Sequence, residues 1–138
     1  MSAKYVKVLP RSLFSRGVNY SEGIVTDVVD WNADPNIKTG IHFCDFDAFP
    51  IYLQHGELIA DVKLIKNHPK IRTNYCIGYK AYKIKLYNIR EISSLECWND
   101  EVFCENSVQL NGHSLQYIKR QTYNLAHNAI INNPYAIE

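Results

Sequence analysis

The run GYKAYKIKLYNIREI, residues 78–92, constrains the fold more than any other stretch of the chain. Apolar and polar residues alternate through it with period two. Tyr82, Ile84 and Leu86 fall on one face, and Lys83, Lys85 and Tyr87 on the other. That pattern predicts a strand in a sheet whose second face is partly wet, as antiparallel sheets often are.

Other segments extend the same reading. YVKVL (5–9) alternates as a half-buried strand should and stops at Pro10. SRGVNYSEG is turn-rich, with Gly17 and Gly23 expected at positive φ. IVTDVVDW (24–31) is a β-branched strand candidate, and NADPNIKTG a loop, because Asp34-Pro35 disfavours helix. IHFC (41–44) predicts a short strand with Ile41 and Phe43 on one face and His42 and Cys44 on the other. Asp45 or Asp47 could cap a helical turn through AFPIYLQHG, ending near Gly56. ELIADVKLI is a further strand, and NHPKIRTNYCIG is irregular.

From Asn99 the apolar spacing changes to three and four, which predicts helices. This part also matches itself at a shift of 22 residues. Phe103 meets Leu125, Asn106 meets Asn128, Ser107 meets Ala129, Val108 meets Ile130, Asn111 meets Asn133 and Leu115 meets Ile137. Each unit reads as a helix, a tight turn at Asn111-Gly112 or Asn133-Pro134, and a short second helix. The expected fold is therefore α+β: a small, mainly antiparallel β-sheet domain over 1–96, then a helical repeat segment over 97–138 whose second unit is incomplete.

Charge and composition narrow the function classes. Lys plus Arg is 15 and Asp plus Glu 14, so no net field recruits nucleic acid or an acidic membrane. The basic run Lys63, Lys66, His68, Lys70 and Arg72 is interrupted by apolar residues, as a solvated face or loop would be. No window approaches the roughly 18 apolar residues of a membrane span, and Met1–Pro10 lacks the apolar run of a signal peptide. Cys44, Cys76, Cys97 and Cys104 form no CxxC pair, and no HxxxH pair occurs; neither a zinc site nor any other metal or cofactor is expected. The expectation is an intracellular chain with reduced, mostly buried thiols.

Three resemblances add to this. The pairs Ser107-Val108, Asn111-Gly112 and Ser114-Leu115, with Tyr117-Ile118-Lys119 and Gln121-Thr122, resemble a helical repeat of giant-virus proteins of the mimivirus type. Ala129-Ile130 and Asn132 to Ile137 continue it. Gly17, Tyr20, Gly23, Gly40 to Cys44 and Asn88 to Ile92 resemble a small phage and large-virus domain without a known activity. GIHFCDFDAFPIY is also similar to the nicotinamide-pocket strand of poly(ADP-ribose) polymerases and related ADP-ribosyltransferases. That last resemblance implies a pocket in which His42 replaces a tyrosine, Tyr52 stacks on the ring and Glu91 stabilises positive charge on the ribose. The chain departs from it: the first strand carries no H-G-[ST] motif, and S-T-S and E-x-E elements are missing. Arg11 or Arg16 would have to stand in.

Each candidate also has an ordinary structural explanation. A lone strand histidine is usually a satisfied polar group, Cys44 a small buried hydrophobe, and Asp45 and Asp47 helix caps. Trp31 and Trp98 are expected at the sheet edges. The viral resemblances imply a virus-encoded, non-enzymatic protein-interaction module in the host cytoplasm or the virion. Fewer than two repeat units cannot bury their own apolar faces, so the helices must pack on the sheet domain or on a second copy. The expected surface is Leu115, Ile118, Ile130 and Ile131, with a homodimer through these helices as the partner. The alternative is an NAD- or nucleotide-binding domain of the transferase type, active or degenerate, with His42, Tyr52 and Glu91 as its site. A domain that sequesters a small nucleotide signal is a third possibility.

Overall fold

The structure, a computed structural model, describes residues 4–120 and 122–132. It is an α+β fold with a seven-stranded antiparallel sheet. The strands are β1 (Tyr5–Leu9), β4 (Gly23–Thr26), β5 (Ile41–Asp45), β6 (Leu58–Leu64), β7 (Ile71–Arg72), β8 (Tyr79–Ala81) and β9 (Lys83–Glu91), in the order β4-β9-β6-β1-β5-β8-β7. A separate two-stranded hairpin joins β2 (Phe14–Ser15) to β3 (Val18–Asn19).

The alternating run 78–92 is two strands rather than one. β8 pairs with β5 and β7, whereas β9 pairs with β4 and β6, and three strands lie between β8 and β9 in the sheet. The chain turns at Tyr82, whose carbonyl accepts from the Asp27 backbone N–H at 2.8 Å. Alternation still governs β9: Ile84 and Leu86 are fully buried and Tyr87 is exposed. The strand expected over 24–31 ends at Thr26. Asp27 is buried, and its carboxylate accepts from the N–H groups of Val29 and Asp30, which breaks the ladder and leaves Val28 and Val29 exposed.

β5 is followed by a 3-10 helix, Phe46–His55, ending at Gly56. Asp45 precedes that helix but its side chain makes no capping bond; it accepts instead from the Tyr79 hydroxyl at 3.1 Å. The C-terminal part comprises α1 (Glu101–Leu110), a 3-10 turn (Gly112–Tyr117) and α2 (Tyr123–Asn132). Asp100 caps α1, accepting from the N–H groups of Val102 and Phe103. Both α-helices are ten residues long and their bounds are offset by 22, from 101 to 123 and from 110 to 132. Their burial differs, since Val108 is fully buried while Ile130 is 40% exposed. Asn133-Pro134 and Ile137, the second unit's turn and short helix, lie outside the described residues.

The boundary at 96/97 does not divide the core. Val6, Val8 and Ile59 of the sheet form one apolar cluster with Phe49, Ile92, Trp98, Val108, Leu115, Ile118 and Leu125. Trp98 sits inside this cluster, not at a sheet edge. Its indole stacks on Tyr117 at 5.3 Å and donates to the Ile92 carbonyl. Leu115 and Ile118 are 3% and 4% exposed, so they are core residues and not the surface expected of them. The cause is local. Asn111 donates to the Pro50 carbonyl at 3.0 Å and Ser114 to the Ser107 carbonyl, which turns the 3-10 segment inward. A second apolar cluster, with Leu9, Ile41, Phe43, Ile84 and Leu86, fills the opposite face of the sheet.

Candidate functional site

The central strand β1 pairs with β6 along its whole length, from Tyr5↔Val62 to Leu9↔Leu58. With β5 it pairs at two positions alone, Tyr5↔Asp45 and Val6↔Cys44. Beyond Cys44, β5 stays paired to β8 through Ile41 and parts from β1. A cavity of about 280 Å³ opens where the two strands separate. Its wall draws Val6, Val8 and Cys44 from one apolar cluster and Tyr20 and Phe43 from the other, so it lies in the plane of the parting strands.

Three loops close it. The β2–β3 hairpin supplies Ser15 and Arg16. Arg16 and Gly17 are its two loop residues, with φ of 52° and 80°, the left-handed pair that a type I′ hairpin turn requires. An arginine in that conformation costs about 1 kcal/mol or more, so the wall carries this cation at a backbone cost. The loop before β5 supplies Lys38 and Gly40, and the loop between β7 and β8 supplies Tyr75 and Cys76. Tyr52 and His55 reach in from the 3-10 helix after β5.

The wall is basic and aromatic. It carries Lys7, Arg16 and Lys38, and no aspartate or glutamate among the described residues. The ion pairs among those residues belong to Arg11 and Arg90, not to these three. Lys7 Nζ spans the gap to donate to the His42 carbonyl at 2.7 Å and lies 4.8 Å from the Tyr20 ring centroid. Lys38 Nζ rests 5.7 Å from the centre of the Tyr75 ring. His42 Nε2 is hydrogen-bonded to the Tyr75 hydroxyl, and the Tyr52 hydroxyl donates to the Ile77 carbonyl.

Burial sets the protonation of the wall. It lowers the Lys7 ammonium to about 8; Cys44 opposes that shift and the charge of Arg16 adds to it. Burial, then the charges of Lys7 and Arg16, lower His42 to about 4, so its ring is neutral near pH 7. His55 is lowered for the same leading reason. Burial raises the Cys44 thiol and the Tyr20 phenol, each to about 12, and raises Tyr52 as well. At neutral pH the wall therefore offers cations, neutral imidazoles and protonated phenol and thiol donors. A thiol held this high is a poor nucleophile. This set of groups can hold an anion.

Of the sequence-derived candidates, His42 and Tyr52 meet at this cavity and Glu91 does not. Glu91 lies at the end of β9, where both carboxylate oxygens accept from Arg11, which also pairs with Glu57. Arg11 is thereby committed elsewhere, while Arg16 lines the wall. Tyr20, Gly40 and His42 to Cys44, which carry the resemblance to the small viral domain, also line it. Sequence reading missed Lys7, Lys38, His55, Tyr75 and Cys76. One signal was present: Lys7 sits in the middle of an otherwise apolar strand, in phase with Tyr5 and Leu9. Among the described residues, no three His, Cys, Asp or Glu side chains converge as metal ligands, and no helix is long and apolar enough to cross a membrane. Family models, curated proteins and solved structures offer no match to the chain.

Proposed function

We propose that this chain binds a small organic anion in the cavity between β1 and β5 and acts by holding it. The observation that carries this reading is the wall itself: three basic side chains and, among the described residues, no carboxylate. An anion that sheds water to enter would meet these charges in a medium far less screening than bulk water. The volume of about 280 Å³ lies at the lower edge of the ~300–1,000 Å³ usual for ligand pockets, which favours a ligand smaller than a dinucleotide. The transferase-like alternative has His42 and Tyr52 on the wall in its favour, but its proposed carboxylate, Glu91, is bound to Arg11 elsewhere.

Thermal melting with sulfate, adenosine monophosphate and NAD, on the wild type, Arg16→Ala and His42→Ala, tests the proposal. A ligand at 100 times its Kd adds about 2.7 kcal/mol of stability. Sulfate or the mononucleotide should raise Tm in the wild type and lose most of that effect in Arg16→Ala. A response to NAD alone that disappears in His42→Ala would favour the transferase-like reading. Silence toward all three would end the small-anion proposal.

A second reading has its own observation. Ile130 and Ile131 on α2 are 40% and 65% exposed, which supports a virus-encoded protein-interaction module acting in the host cytoplasm or virion, with a second copy as partner. Ile131→Asp should then dissociate a dimer in sedimentation equilibrium. A wild type that sediments as a monomer removes the homodimer.

A further inference from the structure

The anion cavity contains an amine in an unusual situation. Among the described residues, Lys7 Nζ has one acceptor, the His42 carbonyl, although an ammonium carries three donors. It lies against the face of Tyr20 and shares the cavity wall with Val6, Val8, Phe43 and the cation Arg16. Lys80, which is fully buried, gives its three donors to three carbonyls and is a structural cation. Lys7 is equipped differently. A lysine desolvated in an apolar site beside another cation holds its amine partly unprotonated at neutral pH, and that form is the nucleophile toward carbonyl carbon. Burial, opposed by Cys44 and reinforced by Arg16, acts on Lys7 in that direction.

We propose that Lys7 captures the carbonyl carbon of a small α-oxo acid as an imine, while Arg16 and Lys38 hold its carboxylate. This rests on the anion-binding reading and names the ligand class. The step balances without a redox partner. The neutral amine adds its electron pair to the carbonyl carbon, and a proton passes from nitrogen to the former carbonyl oxygen. The carbinolamine then expels that oxygen as water with the second amine proton, leaving C=N. Water reverses the step, so capture is covalent yet releasable.

The test treats the full chain with limiting glyoxylate and sodium cyanoborohydride near pH 7, which fixes any imine as a carboxymethyl amine, and maps the product by peptide mass spectrometry. The exposed Lys63 and Lys85 serve as internal references. Lys7 should be labelled about tenfold faster than either, or more, because more of its amine is unprotonated. Sulfate should slow labelling at Lys7 alone, and Arg16→Ala should do the same. Lys7→Arg, which keeps the charge, should lose the preferred label yet retain the sulfate-dependent rise in Tm. If Lys7→Arg does not fold, sulfate competition and Arg16→Ala decide. Labelling of Lys7 no faster than Lys63 and Lys85, or indifferent to sulfate, overturns the imine. In that event a sulfate shift in Tm leaves the anion site standing, and its absence removes both.

Discussion

Lys80 and Lys7 mark two regions of one sheet, and the same side chain does opposite things in them. Lys80 is fully buried on β8, and its ammonium donates to the carbonyls of Asn32, Asp34 and Ile37 at 2.6–2.7 Å, with the Trp31 ring 5.5 Å away. Those bonds pin the loop that carries Lys38 to the cavity. Lys7 lies two strands away with a single carbonyl acceptor among the described residues, beside the void left by the parting of β1 and β5. A buried charge with all its donors used builds structure, and one with donors to spare is available to a ligand.

The largest effect that separates the two regions should come from Lys80→Met. It leaves three carbonyls without their donor and frees the loop, at an expected cost of about 2–4 kcal/mol in urea unfolding. Amide exchange over residues 32–39 should accelerate, and sulfate affinity should fall as Lys38 loses its mooring. A loss below 1 kcal/mol would mean that the loop stands without Lys80.

Gly40 touches both regions, since it lines the cavity and packs against Trp31. Its φ is +93°, and a Cβ there would sit 2.6 Å from Trp31 Cζ3. Gly40→Ala should cost about 1–3 kcal/mol and weaken sulfate binding together. Stability loss with unchanged binding would uncouple the loop from the cavity.

Lys7→Met should be at least as stable as the wild type at pH 7, while its sulfate affinity collapses. Burial lowers the folded-state value to about 8 from 10.5, so folding disfavours the charged amine by about 3 kcal/mol below pH 8. Between pH 8 and 10.5 the unfolded chain binds more protons than the folded one. Wild-type stability should therefore rise relative to Lys7→Met across that window, and the gap should close at its top. A gap that widens with pH would mean that the lysine is stabilised as a cation.

The smallest effect is expected at Glu91→Gln. Glu91 and Arg11 are exposed, and exposed pairs contribute little. Neither Tm nor sulfate binding should change measurably. A loss of binding would return Glu91 to the site.

Much of the fold is legible in the residues. Alternation in YVKVL, IHFC and ELIADVKLI marks β1, β5 and β6, and the change of spacing after Asn99 marks the helices. Lys80 was also legible in principle, because it stands in phase with Tyr82, Ile84 and Leu86 on the apolar side of the alternation. A lysine in that register must find acceptors, although the sequence does not say which carbonyls come to it. Of the residues singled out in the sequence, His42 and Tyr52 line the cavity and Glu91 does not. Leu115 and Ile118 show the limit from the other side. Their spacing announces an apolar face, and whether that face meets the sheet or a partner depends on Asn111 reaching Pro50, 61 positions back.

The sequence by itself determined the α+β class, the positions of most strands and both helices, and the positive φ at Gly17 and Gly23, because each is a local matter of side-chain period or backbone sterics. The tertiary structure alone decided that 78–92 would divide between distant parts of one sheet, that the helices would share its core, and that β1 and β5 would separate after two pairs. Strand pairing is a contest among segments remote in sequence, settled by which arrangement buries the apolar faces together. The cavity and its three cations exist only once that contest is settled.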